Sequence, residues 1–99
     1  MKTGSFVIIH LAQPREKIWG RLHTLNQAGA TLRGIDVVNV ERYRYQISAE
    51  SPEVFPQTVF YPMHRIIKIE ADEPAGNVPS IIGNITSRGP ISEEEIFQD

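Results

Sequence analysis

The 99-residue chain is long enough for one domain and too short for two. Its formal net charge is -2, with ten Lys and Arg dispersed among twelve Asp and Glu, which excludes the clustered basic surplus of a strong non-specific nucleic-acid binder. The absence of cysteine excludes disulfide scaffolds, thiolate catalysis and cysteine-based zinc sites.

Ser5 to Leu11 is apolar on both alternating faces, with Phe6 and Ile8 on one and Val7, Ile9 and Leu11 on the other. That pattern predicts a strand covered on both sides. The run is far shorter than the ~20 residues of a membrane helix, so no membrane segment and a cytoplasmic location are expected. Ala12 to Glu16, with Pro14 at its centre, is a turn. Lys17 to Val40 then reads as two strands joined at Asn26-Gln27-Ala28-Gly29, small and amide residues that turns prefer. Gly34 stands where a side chain would obstruct a bend. A long strand bent at a glycine can serve two faces of a small barrel.

After Val40 the pattern supports two readings. Tyr43, Tyr45 and Ile47 alternate as in a strand, whereas Val40, Tyr43, Arg44 and Ile47 share a helical face behind Asn39 as an N-cap. The strand-like continuation is preferred, followed by a loop from Ser51 to Gln57 containing two prolines. Thr58 to Tyr61 is β-prone and ends at Pro62, Met63-His64-Arg65 is a tight join, and Ile66 to Ala71 resumes the β pattern. Turn residues fill Asp72 to Asn77. A helix is predicted over Ser80 to Arg88 with Gly89 as its stop, and Ser92 followed by three glutamates starts a second. The expected organisation is a β-barrel over residues 1–77 and a helical tail over 78–99, within one domain.

This order of elements resembles the Sm-like (LSm) family, whose fold is a strongly bent five-stranded barrel that assembles into rings. The matching residues are FVIIHL for the first strand, IWGRLHTLNQAGATLRGIDV for the second and third, and VFYPMHRIIKI for the last two. Together they cover roughly residues 5 to 71. The resemblance implies a mostly β, SH3-like antiparallel barrel with a short C-terminal helical tail. It also implies a cyclic homo-oligomer that presents single-stranded RNA at the turn between the last two strands, where Tyr61, His64 and Arg65 stand, assisted by Arg33. Members that bind RNA carry an Asp-x-aromatic-Met-Asn signature after the second strand; here that place reads Asn26-Gln27-Ala28-Gly29-Ala30. An oligomeric protein-interaction or structural module without nucleic acid is the alternative.

A domain of this size buries only roughly 60 to 70% of its unfolded surface, so sharing strand surface with a second copy would add stability. Of the other chemistry-bearing residues, His10 and His23 fall inside strand patterns, where an imidazole usually satisfies a hydrogen bond. Arg21 alternates with apolar neighbours as Arg33 does, and the pair could flank an anion or face solvent. Tyr43-Arg44-Tyr45 interleaves rings and charge as base-stacking surfaces do, or covers the barrel. Trp19 is expected to anchor a core or a subunit interface. No nucleophile-plus-base set, metal-ligand spacing or phosphate-cradling glycine loop is visible, so neither enzymatic activity nor a cofactor or metal is expected.

Overall fold

The structure is a computed structural model that describes residues 1–47, 52–89 and 91–98. Five strands, β1 (Phe6–Leu11), β2 (Glu16–Leu25), β3 (Gly29–Asp36), β4 (Gln57–Pro62) and β5 (Ile66–Ala71), form one antiparallel sheet in the order β4-β3-β2-β1-β5. Two helices, α1 (Val40–Gln46) and α2 (Ile81–Arg88), and 3-10 turns at Val37–Asn39, Met63–Arg65 and Glu93–Glu95 complete the described elements.

The backbones of β2 and β3 come close together where two glycines face each other. Gly20 of β2 pairs with Gly34 of β3. A Cβ on Gly20 would lie 2.5 Å from the Arg33 carbonyl oxygen, and one on Gly34 would meet the Trp19 carbonyl oxygen more closely still. Only the absence of both side chains lets the two backbones approach this far. A further irregularity at Leu22/Thr24 adds twist to the same strand.

Bending separates two apolar layers. On the concave side Val7, Ile9, Leu11, Ile18, Leu22 and Leu32 pack together, with Tyr61 of β4 and Ile66 and Ile69 of β5 against them. On the convex side Phe6, Trp19 and Ile35 meet Tyr43 of α1, Ile82 and Ile85 of α2, and Ile96 and Phe97. The double-sided apolar pattern of β1 is thereby explained, because each face has its own cover. The Trp19 indole is fully buried, stacked 5.4 Å from Phe6 and edge-on 4.8 Å from Phe97. Truncating a buried ring of this kind costs about 3–5 kcal/mol.

The expected closed barrel does not form. β4 and β5 are the two edges of the sheet, so the arrangement is a bent, open sheet. The Met63–Arg65 turn carries the chain from one edge to the other as a corner. Met63 N donates to the Ala28 carbonyl (2.9 Å), and Ala12 N donates to the Arg65 carbonyl (2.8 Å), so the corner bridges the ends of β3 and β1.

The strand-like continuation expected after Val40 is also corrected, because Val40–Gln46 is helical. Asp36 starts the turn at Val37–Asn39 by accepting a hydrogen bond from Val38 N (3.0 Å), and that turn runs directly into α1. Tyr43 then buries its ring 5.2 Å from Phe97 and 6.4 Å from Trp19. At the C-terminal end Gln46 accepts from Glu53 N (2.9 Å) and Val54 N (2.8 Å). Of the loop expected from Ser51, Ser51 itself lies outside the described residues; 52–56 carry no regular structure and Gln57 already belongs to β4.

The tail packs on the convex face. The predicted helix over Ser80 to Arg88 forms as α2 from Ile81, with Ser80 as its cap accepting from Gly83 N and Gly89 following its last residue. The second predicted helix is a single 3-10 turn closed by a reciprocal capping box between Ser92 and Glu95. Replacing Gly34 by alanine is expected to destabilise the fold by about 3 kcal/mol, lowering Tm by on the order of 15 °C. Thermal unfolding followed by circular dichroism checks this; an unchanged Tm would contradict the close-approach explanation of the bend.

Candidate functional site

The β4–β5 corner positions the residues that the resemblance singles out. Arg65 donates from Nε to the Ala12 carbonyl (3.1 Å) and from Nη2 to the Pro14 carbonyl (3.0 Å), so its guanidinium holds the β1–β2 turn. The same group lies 3.9 Å from the Glu16 carboxylate and 5.8 Å from the centre of the Tyr61 ring. Tyr61 is half-buried on the concave face, and His64 is exposed beside it. Arg33 is placed differently. It pairs with Thr58 across the sheet while Tyr61 pairs with Ala30, three residues away, so by strand alternation Arg33 and Tyr61 leave opposite faces. The Arg33 guanidinium donates to Thr58 Oγ1 (3.2 Å). The fold therefore joins Tyr61 to Arg65, keeps His64 adjacent and separates Arg33 from all three.

A cleft of about 500 Å³ opens on the concave face of β2, β3 and β4. Its floor is apolar, from Ile18, Leu32 and Val59, and Gly34 adds depth by lacking a side chain. Tyr61 and Phe55 supply rings, and the charged lining is Glu16, Asp36, Glu53 and Arg42. The Gln46 hydrogen bonds fix residues 53 and 54 and so set Phe55, 65% exposed, at the rim. Burial pushes the Tyr61 phenol up from its ordinary value; the Glu16 charge adds to this, the Arg65 charge opposes it and the Asp36 charge adds again. The arrangement offers negative charge and hydrogen-bond acceptors above an apolar floor.

The sequence reading did not single out Glu16, Asp36, Arg42, Glu53 or Phe55. Glu16 carried a readable signal, because it alternates in phase with the inward-facing Ile18. Asp36 did not, since its place opposite Ile18 depends on the β2–β3 register. Arg21 is tied up in the fold: its Nη2 donates to the Glu93 and Ile96 carbonyls (both 2.7 Å), and its guanidinium lies 4.6 Å over the Phe6 ring. Arg44 pairs with Glu41 one turn earlier and lies over the Tyr45 ring. Among the described residues no group of His, Asp and Glu could hold a metal ion, and no helix is long and apolar enough to cross a membrane.

On the outer side of β1 and β5, His10 Nε2 bonds to Glu70, with Lys68 Nζ 3.6 Å from the same carboxylate. The His10 hydrogen bond chiefly holds the Glu70 carboxyl below its ordinary range; desolvation opposes and Lys68 adds. A carboxyl depressed in the folded state stabilises the fold above its unfolded pKa of about 4.3, and that contribution is lost as pH falls through the folded value. His10→Ala is expected to move the Glu70 titration upward toward the ordinary glutamate value, read by side-chain NMR titration. A Glu70 titration unchanged in that variant would contradict the assignment.

Comparison with protein-family models, with curated proteins and with solved structures finds no match to this chain.

Proposed function

We propose that this protein is a non-enzymatic, Sm-like self-assembly module in which the β4 edge of one copy pairs with the β5 edge of the next. The observation that carries the reading is the strand order. β4 and β5 are neighbours in the chain, joined by one three-residue turn, yet they stand at opposite ends of the sheet. Among the described residues each edge strand has a strand on one side only, an arrangement that proteins otherwise cover or blunt. Each also exposes a large apolar side chain, Phe60 (51%) on β4 and Ile67 (58%) on β5, the latter turned out where the β1–β5 register shifts. Pairing unlike edges is a head-to-tail contact, which generates a ring when the rotation closes. The Sm-like resemblance supplies the ring as the closed form.

The assembly works as a protein-interaction or structural module without nucleic acid. Arg65 is engaged with two carbonyls, Arg33 is on the other face, and the cleft beside Tyr61 is lined by three carboxylates. Phosphate recognition needs convergent cations, and these residues do not converge. Light scattering after size-exclusion chromatography is expected to give a stable multiple of the chain mass. The exchanges Phe60→Lys and Ile67→Lys, both at exposed positions, should reduce that multiple to a folded monomer. A wild-type monomer would contradict the reading. In fluorescence titrations of short single-stranded RNA across a salt series, affinity is expected to stay at the non-specific level. Tight binding that persists at physiological salt would instead establish the RNA-presenting form.

A further inference from the structure

The cleft on the concave face has a chemistry that the edge-pairing reading does not use. Its volume of about 500 Å³ falls within the range of small-molecule sites, roughly 300–1,000 Å³. Its charged lining is three carboxylates against one guanidinium, a difference of two negative charges (Glu16, Asp36 and Glu53 less Arg42). Neither Glu16 nor Asp36 has a cation in close hydrogen-bonded contact among the described residues. Arg65 is the cation nearest Glu16, at 3.9 Å, and it already donates to Ala12 and Pro14. Asp36 accepts one backbone hydrogen bond, from Val38. Beside these acceptors lie two rings and an apolar floor, which give a bare hydrated ion nothing to bind but suit a cation carrying carbon.

We propose that this cleft binds a small organic cation, with an ammonium or guanidinium head held between Glu16 and Asp36 and an apolar body against Ile18, Val59 and the Tyr61 ring. Charge complementarity selects the head, and the apolar floor selects the body. Glu16 and Asp36 both line the cleft beside the Tyr61 ring. Arg42, which lines the rim with Glu53, can neutralise one acid and still leave the inner pair for the ligand.

The test uses the full-length protein and three probes of one shape: phenethylamine, neutral 2-phenylethanol and anionic phenylacetate. Amide and aromatic NMR shifts and titration calorimetry at low salt are expected to give saturable binding of phenethylamine alone, with shifts at Ile18, Val59 and Tyr61. Glu16→Gln is expected to weaken binding about tenfold, the loss of one charge-assisted hydrogen bond. Glu53→Gln, at the rim, serves as a second variant that leaves the Glu16–Arg65 contact in place, with a smaller loss. No shifts with phenethylamine, equal shifts with all three probes, or shifts located away from the cleft would each overturn the proposal. So would undiminished binding to Glu16→Gln with its fold intact.

Discussion

The close approach of Gly20 and Gly34 is the constraint from which the rest of the molecule follows. With no Cβ between them the two longest strands approach closely, and the sheet carries a separate apolar layer on each face. The inside collects Val7, Ile9 and Leu11 of β1, Ile18 and Leu22 of β2 and Leu32 of β3, and leaves a cleft against β4. The outside turns Trp19 toward the chain that follows β5. Trp19 Nε1 donates to Asp72 Oδ2 (3.0 Å), and the same carboxylate accepts from Ile81 N and Ile82 N (both 2.8 Å). One aspartate thus ties the sheet's central aromatic residue to the first turn of α2. Arg21, next to Gly20, does the same for the end of the chain through the Glu93 and Ile96 carbonyls.

The strands were largely legible because their alternation is local. Ile66 to Ala71 was readable to the residue, and Gly34 stood in the strand alternation where a side chain would obstruct a bend. Residues 40–46 were not, since Tyr43 and Ile47 fit both the strand and the helical period. What selects the helix is distant: a Tyr43 contact with Phe97 and a Gln46 clamp on residues 53 and 54, neither of which local pattern encodes. The docking of Ile96 and Phe97 was hidden for a related reason. Three glutamates precede them and read as a solvated helix start, yet the capping box ends the turn and the chain reverses into the core, Phe97 adopting a φ of 58°. Openness of the sheet was equally invisible, because the strand order that makes β4 and β5 edges is a property of the whole topology.

The candidate site divides in the same way. Tyr61, His64 and Arg65 could be placed together because a turn confines them, whereas the face that Arg33 occupies depends on the β3–β4 register. The structure also changes what Arg65 does. A guanidinium that a sequence pattern offers to a ligand is used here to hold the β1–β2 turn against the corner, beside Glu16. Positive charge near the corner is therefore internal, and negative charge faces the cleft. Edge strands and cleft are separate resources: one depends on backbone hydrogen bonds along the rims of the sheet, the other on side chains of its concave face.

The central claim is that β4 and β5 find their missing partners in another copy. Residue-resolved amide hydrogen exchange at two protein concentrations tests it most directly, because it reads the outward-pointing amides of those two strands. The account requires that at the higher concentration these amides be protected to a degree approaching β1, which has strands on both sides, and that protection fall on dilution. Fast exchange along both edges at every concentration, with β1 to β3 still protected, would contradict it.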